Sequence, residues 1–210
     1  MTNKSHFAIF DSGIRLGLIT IAAIGLVVLT DHLTKDAIAD QEHKAALKAL
    51  TEVLPERFFD NDPLAERYAV QAEKLGPGDH WVYPALLNAQ ASAFALEATA
   101  ADGYNGEIKL LLGIDIAGSI TGVRVSSHKE TPGLGDGIDL EVSNWILVFN
   151  GKSLSKPTEN DWELKKQGGE FDQLTGASIT PRAVVHAVRK ALEWAQDHLL
   201  NQDSTSSSDQ

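Results

Sequence analysis

At 210 residues the chain has room for one domain of ordinary size with an appendage, and not for two full domains. Hydrophobic residues make up 43% and charged residues 22%, which is enough apolar material for a packed core and argues against wholesale disorder. A formal charge of -11 argues against a nucleic-acid binder, and the absence of cysteine removes disulfides, thiolate zinc sites, cysteine-ligated clusters and cysteine nucleophiles.

The first predicted element is an anchor. Leu16 to Leu29 is free of charge, and the stretch 14–30, read as a helix, covers roughly 25 Å against a hydrocarbon core of about 30 Å. Lys4 and Arg15 flank it on the N-terminal side, while Asp31, Asp36 and Asp40 follow it. The positive-inside bias then puts residues 1–13 in the cytoplasm and everything after Thr30 outside. A cleaved signal peptide is the rival, but its small-x-small candidate, Ala37-Ile38-Ala39, lies too far downstream behind charged residues. A buried core helix is the third reading, set against a run that is apolar on every face.

Leu33, Ala37, Ile38, Ala46, Leu47, Leu50 and Leu54 recur at mostly helical spacing, which predicts a stalk helix within 31–62. The folded domain is predicted over 63–202. Its signal is mixed from Pro63 to Pro84, with Gly76-Pro77-Gly78 a breaker. Three short apolar-rich runs, 92–99, 108–116 and 120–126, then read as the strands of a meander, with turns at Asp102-Gly103 and Ala117-Gly118. Ile138 to Phe149 is compatible with a helix. The closing helix runs from Pro181 to Leu200 and places Val184, Val188, Ala191, Leu192 and Ala195 on one face, with Thr180 as N-cap. The polar composition of residues 203–210 predicts a disordered tail. Strands ahead of helices make the fold α+β: one antiparallel or mixed sheet with packed helices, behind a single N-terminal transmembrane helix.

Several motif readings fail on their own requirements. Gly151-Lys152-Ser153 lacks the first glycine of a phosphate-binding loop, because position 146 is Ile146. His128-x-Glu130 lacks the cysteine partners of the zinc deaminases, and the seven histidines contain no His-x-x-x-His pair, so no metal site is expected. Gly176-Ala177-Ser178-Ile179-Thr180 has Thr180 where the nucleophile elbow of a serine hydrolase needs its last glycine.

Two segments hold more. His128-Lys129-Glu130-Thr131-Pro132-Gly133-Leu134-Gly135-Asp136-Gly137 packs donors and acceptors just ahead of three glycines that let a backbone approach a flat ligand. An ordinary surface loop is its other reading. Leu174 to Arg182 is at least a turn and a helix cap. It also leads Thr175, Gly176, Ala177 and Ser178 into a helix N-terminus, whose free N–H groups and partial positive charge suit a phosphate on or near Thr180.

With these residues in view, the chain resembles the G subunit of the Rnf-type (Rsx-type) ion-translocating electron-transport complex, a relative of the C subunit of the sodium-translocating NADH:quinone reductase. The resemblance is carried by the anchor, Gly103-Tyr104-Asn105-Gly106, the HKETPGLGD run at 128–136 and TGASIT at 175–180, in the family's order. The last motif departs from the family's usual pattern at Thr175 and Ser178. The resemblance implies FMN joined to Thr180 by a phosphoester bond, with the isoalloxazine over the meander. Thr175, Gly176, Ala177, Ser178, His128, Glu130, Thr131, Gly133 and Leu134 are implied as further cofactor contacts. It further implies a redox subunit and not a stand-alone catalyst. That subunit works with other membrane subunits that couple electron transfer between NADH and ferredoxin to ion movement. The resemblance also implies a separate flavin transferase that loads the subunit from FAD, and a periplasmic domain on a bacterial inner membrane. The alternatives are the quinone-reductase C subunit and an anchored extracytoplasmic binding module without cofactor.

Overall fold

The computed structural model describes residues 46–200 and, before them, 17, 20, 23–26, 41, 43 and 44. Most of the predicted anchor and all of the 203–210 tail lie outside the described residues. Among the described residues no helix is long and apolar enough to cross a membrane. Two compact units are separated at Ala46, and the second, Leu47–Gln210, contains the sheet.

That sheet has five antiparallel strands in sequence order: β1 (Tyr68–Val70), β2 (His80–Leu87), β3 (Gln90–Gly103), β4 (Gly106–Asp115) and β5 (Ile120–Ser127). The predicted meander is therefore present as β3, β4 and β5, and the sheet is wholly antiparallel. Two strands were hidden in the mixed stretch before it. β2 carries Pro84, which a central strand excludes because proline cannot donate to the ladder. Pro84 sits beyond the last β1 partner, Val82, and Asn61 Nδ2 donates to its carbonyl at 3.1 Å. The β2–β3 hairpin also lacks a glycine signal: Asn88 and Ala89 both take positive φ, 52° and 61°, as a two-residue hairpin turn requires.

Alternation along the strands sorts side chains to two faces. Phe94, Leu96 and Ala98 of β3, with Ile108, Leu110, Leu112 and Ile114 of β4, face a core completed by the closing helix α1 (Ile179–Ala195). All five residues predicted on the buried face of α1, Val184, Val188, Ala191, Leu192 and Ala195, are buried there. Phe149, Trp162 and Phe171, from the long connection between β5 and α1, stack at the same core with ring centroids 5.1–6.3 Å apart.

The opposite face is covered by residues 47–59. Leu50, Val53 and Leu54 are fully buried against Tyr83, Ala85, Ala93 and Ala95. Their seat is a notch made by two glycines paired across β4 and β5, Gly113 and Gly122. A Cβ on Gly113 would stand 2.1 Å from the Val53 carbonyl oxygen, and one on Gly122 would stand 2.8 Å from Val53 Cα. Thr121 Oγ1 donates to that carbonyl at 2.5 Å.

Three predicted elements are corrected. The stalk predicted over 31–62 is not α-helical to its end: the α-helix stops at Thr51, and residues 52–62 continue as turns and a short 3-10 segment, Glu56–Phe58. The helix over 138–149 is reduced to a 3-10 segment, Asn144–Phe149, whose start is capped by Ser143 Oγ accepting from the Trp145 N–H. The last helix begins at Ile179 with Ser178 as N-cap, earlier than Thr180 as cap implied, and its α-helical part ends at Ala195.

Candidate functional site

The β3–β4 hairpin, the loop after β5 and the start of α1 meet at one end of the sheet. Between them lies a pocket of about 220 Å³, lined by Tyr104 from the hairpin, Glu130, Thr131, Leu134 and Gly135 from the loop, and Gly176 to Thr180 from the helix approach.

The hairpin supplies the fixed points. Tyr104 and Asn105 form its turn. The Asn105 backbone N–H donates to Glu130 Oε1 at 3.1 Å, and its side-chain amide donates to Thr131 Oγ1 at 2.9 Å. Tyr104 itself projects to solvent at the pocket's edge, 66% exposed. The loop then folds back on itself. The N–H groups of Leu134 and Gly135 both donate to the Thr131 carbonyl, and the Glu130 N–H donates to His128 Nδ1 at 3.1 Å. With Nδ1 an acceptor, the ring's other nitrogen faces the Asp139 carboxylate at 3.9 Å.

On the helix side, residues 174–177 make a tight turn closed by the Ala177 N–H donating to the Leu174 carbonyl, with Gly176 at φ 79°. Thr180 follows in the first turn of α1. Its hydroxyl does not cap the helix. Oγ1 donates instead to Glu130 Oε2 at 2.5 Å. Thr180 is 1% exposed and Glu130 5%, so the pair forms the buried floor of the pocket. Gly135 permits that approach, because a Cβ there would stand 2.6 Å from Glu130 Oε2 and 2.9 Å from Thr180 Oγ1.

Of the residues singled out in the sequence, Glu130, Thr131, Leu134, Gly176, Ala177, Ser178 and Thr180 come together on the pocket wall. His128, Gly133 and Thr175 do not line it. His128 buttresses the loop from behind, Gly133 provides the φ of 76° at its tip, and Thr175 is exposed in the turn. Sequence reasoning placed Gly135 in the candidate loop without giving it a contact of its own, and missed Tyr104 as the pocket's exposed edge and Asn105 as the clamp, although both hairpin residues stand in the GYNG run.

The FMN-binding domain family model matches residues 103–193, which span every segment of this pocket, and a model of the RnfG N-terminal region matches residues 1–53. Over 193 residues the chain is 48% identical to the G subunit of an ion-translocating oxidoreductase complex from Vibrio cholerae, covering 91% of this chain and 92% of that one. The corresponding protein from Vibrio vulnificus is 47% identical over 203 residues, at 93% and 94% coverage. That from Pseudomonas aeruginosa is 47% identical over 196 residues, at 92% of both chains. The chain belongs to the G-subunit family of ion-translocating oxidoreductase complexes. The matched FMN-binding segment begins at the Gly103 hairpin and ends in α1, so it contains every residue that lines the pocket.

The residues present suit a flavin phosphate at its floor and the rest of the group toward its mouth. The floor offers the Thr180 hydroxyl at a helix start, beside the Glu130 carboxylate that holds it, the wall at 176–178 is built from small residues, and the rim carries Leu134, Ile179 and Tyr104 as apolar surface.

Proposed function

We propose that this chain is an electron-transfer subunit that carries FMN as a phosphoester on Thr180. It works within a membrane complex that couples electron transfer between NADH and ferredoxin to ion translocation. The observation that carries the reading is the Thr180 hydroxyl, buried on the floor of the pocket that the hairpin, the loop and the α1 start build together. The family relation and the FMN-binding match support the cofactor, and the G-subunit relatives favour this complex over the quinone-reductase C subunit.

When bound, FMN supplies electron acceptance and release in single steps. The chain's own residues hold and shield. Thr180 and the 176–178 turn fix the phosphate end, Asn105 and Glu130 keep the floor rigid, and Leu134 and Tyr104 give apolar surface at the mouth. Covalent attachment has a physical rationale for a domain outside the cytoplasm, where a flavin released from a reversible site is lost by dilution. A flavin transferase using FAD loads Thr180 after the anchor at 14–30 has placed the domain in the periplasm.

The test uses protein purified from membranes of cells that contain the transferase. A denaturing gel viewed under ultraviolet light shows a fluorescent band for the wild type and for Thr180→Ser, which keeps the hydroxyl. Thr180→Ala is dark. Intact mass reports one FMN less one water on the fluorescent species. A dark wild-type band rejects the covalent attachment at Thr180.

A further inference from the structure

A threonine hydroxyl is a weak nucleophile, and it reacts when a base in contact with it takes its proton during attack. In this chain the contact is already made, and it lies within the modified domain itself. Thr180 Oγ1 donates to Glu130 Oε2 at 2.5 Å, the short end of the range for a hydroxyl bonded to a carboxylate. The other carboxylate oxygen, Oε1, is held by the backbone N–H of Asn105, a donor fixed by the hairpin turn. Glu130 is thus oriented by one partner and aimed at the hydroxyl by the other.

The arrangement is costly for the fold. A carboxylate as buried as Glu130, facing two neutral donors and no cation among its hydrogen-bond partners, loses hydration that those bonds only partly replace. A helix-start threonine would satisfy local N–H groups at less expense. Position 135 is also kept free of a side chain that would separate the two oxygens. Three elements converge on one proton.

We infer that Glu130 is the general base of flavin attachment, an inference that rests on Thr180 being the attachment point. Thr180 Oγ1 attacks the flavin-side phosphorus of flavin adenine dinucleotide. The new O–P bond forms as the bond from that phosphorus to the bridging oxygen breaks, and AMP leaves with that oxygen. The hydroxyl proton passes to Glu130 Oε2, and no electron changes hands. The transfer also neutralises the carboxylate as the anionic phosphodiester forms beside it, which removes a like-charge contact at hydrogen-bond distance. The transferase supplies and orients the dinucleotide; the acceptor chain supplies the base.

The experiment is a time course of flavin attachment to the full-length chain in detergent, with purified transferase and flavin adenine dinucleotide, read by in-gel fluorescence and intact mass. Glu130→Gln keeps the side chain's size. Its oxygen still accepts from Asn105 and its amide donates to Thr180 Oγ1, but it cannot take the proton. The expected result is a fall in kcat of roughly 10²–10⁴-fold with KM for the chain unchanged. Glu130→Asp, a carboxylate on a shorter arm, recovers part of that loss, and melting curves of both variants compare their folds. Attachment to Glu130→Gln at the wild-type rate overturns the inference and leaves the Thr180 reading intact. Equal losses in the two variants with a raised KM also overturn it, by assigning Glu130 to docking or packing. Failure of the wild type to label, or labelling of Thr180→Ala, overturns the attachment reading and this inference with it.

Discussion

Gly135 has no side chain because two oxygens occupy the space that one would fill. Glu130 Oε2 and Thr180 Oγ1 lie 2.6 and 2.9 Å from an ideal Cβ, both inside contact distance, and neither belongs to a side chain free to swing aside. Gly135→Ala is expected to push the pair apart, lowering stability by about 1–3 kcal/mol, as overpacking of a filled site does. Urea unfolding measures that loss, and gel fluorescence from transferase-containing cells should show weaker labelling than wild type. Full labelling with unchanged stability would mean that the floor is softer than its geometry indicates. Glu130, Thr131 and Thr180 were legible in the sequence because polar groups beside glycines, or at a helix start, have few purely structural uses. The role of Gly135 was not legible. Nothing local distinguishes it from Gly133, since part of what crowds it arrives from α1, far along the chain.

Among the elements, the strands with a clear apolar rhythm were legible and those without one were not. Ile108, Leu110, Leu112 and Ile114 alternate along β4 because they face the α1 core. β2 hides behind Pro84 and behind burial on both faces, Val82 to one core and Tyr83 and Ala85 to the other. The 138–149 stretch shows the opposite error. Leu140, Trp145, Ile146 and Phe149 satisfy a helical spacing, but they wrap the core as turns and a short 3-10 segment. Tyr83 gives the hidden strand a measurable signature. Its hydroxyl donates to Glu97 Oε1 on β3 at 2.7 Å, and burial first, then that bond, pushes the phenol well above its ordinary value of 10.0. A phenol raised in the fold favours the folded state while it stays neutral. Its contribution is complete below about pH 10 and is lost as pH rises from there through the folded value. Urea midpoints followed from about pH 8 to about pH 11.5, across the ordinary phenol range, should fall more steeply for wild type than for Tyr83→Phe. Tyr68, raised by burial alone, titrates in both proteins, so the difference between them isolates Tyr83. Parallel curves would remove Tyr83 from the alkaline transition.

At the scale of the whole molecule, charge and topology belong together. The first thirty residues hold two basic side chains, Lys4 and Arg15, against one acidic one, Asp11, so a chain at -11 overall is at -12 beyond Thr30. The basic flank ahead of the apolar run predicts a C-terminal domain outside the cytoplasm. A peptide tag placed after Gln210 should be cut by protease added to the outer face of spheroplasts, and protection of the tag there would reverse the orientation.

The notch at Gly113 and Gly122 also fixes where the folding unit starts. Residues 50–54 are the lid of its second core, fastened through Val53. Cutting the chain at Pro63, where loss of helical spacing suggests a boundary, would strip that lid and turn Tyr83, Ala85, Ala93 and Ala95 into an apolar surface prone to self-association. A form of the domain that keeps this lid therefore begins no later than Leu47, and residues 47–59 of the stretch that reads as a stalk belong to the body.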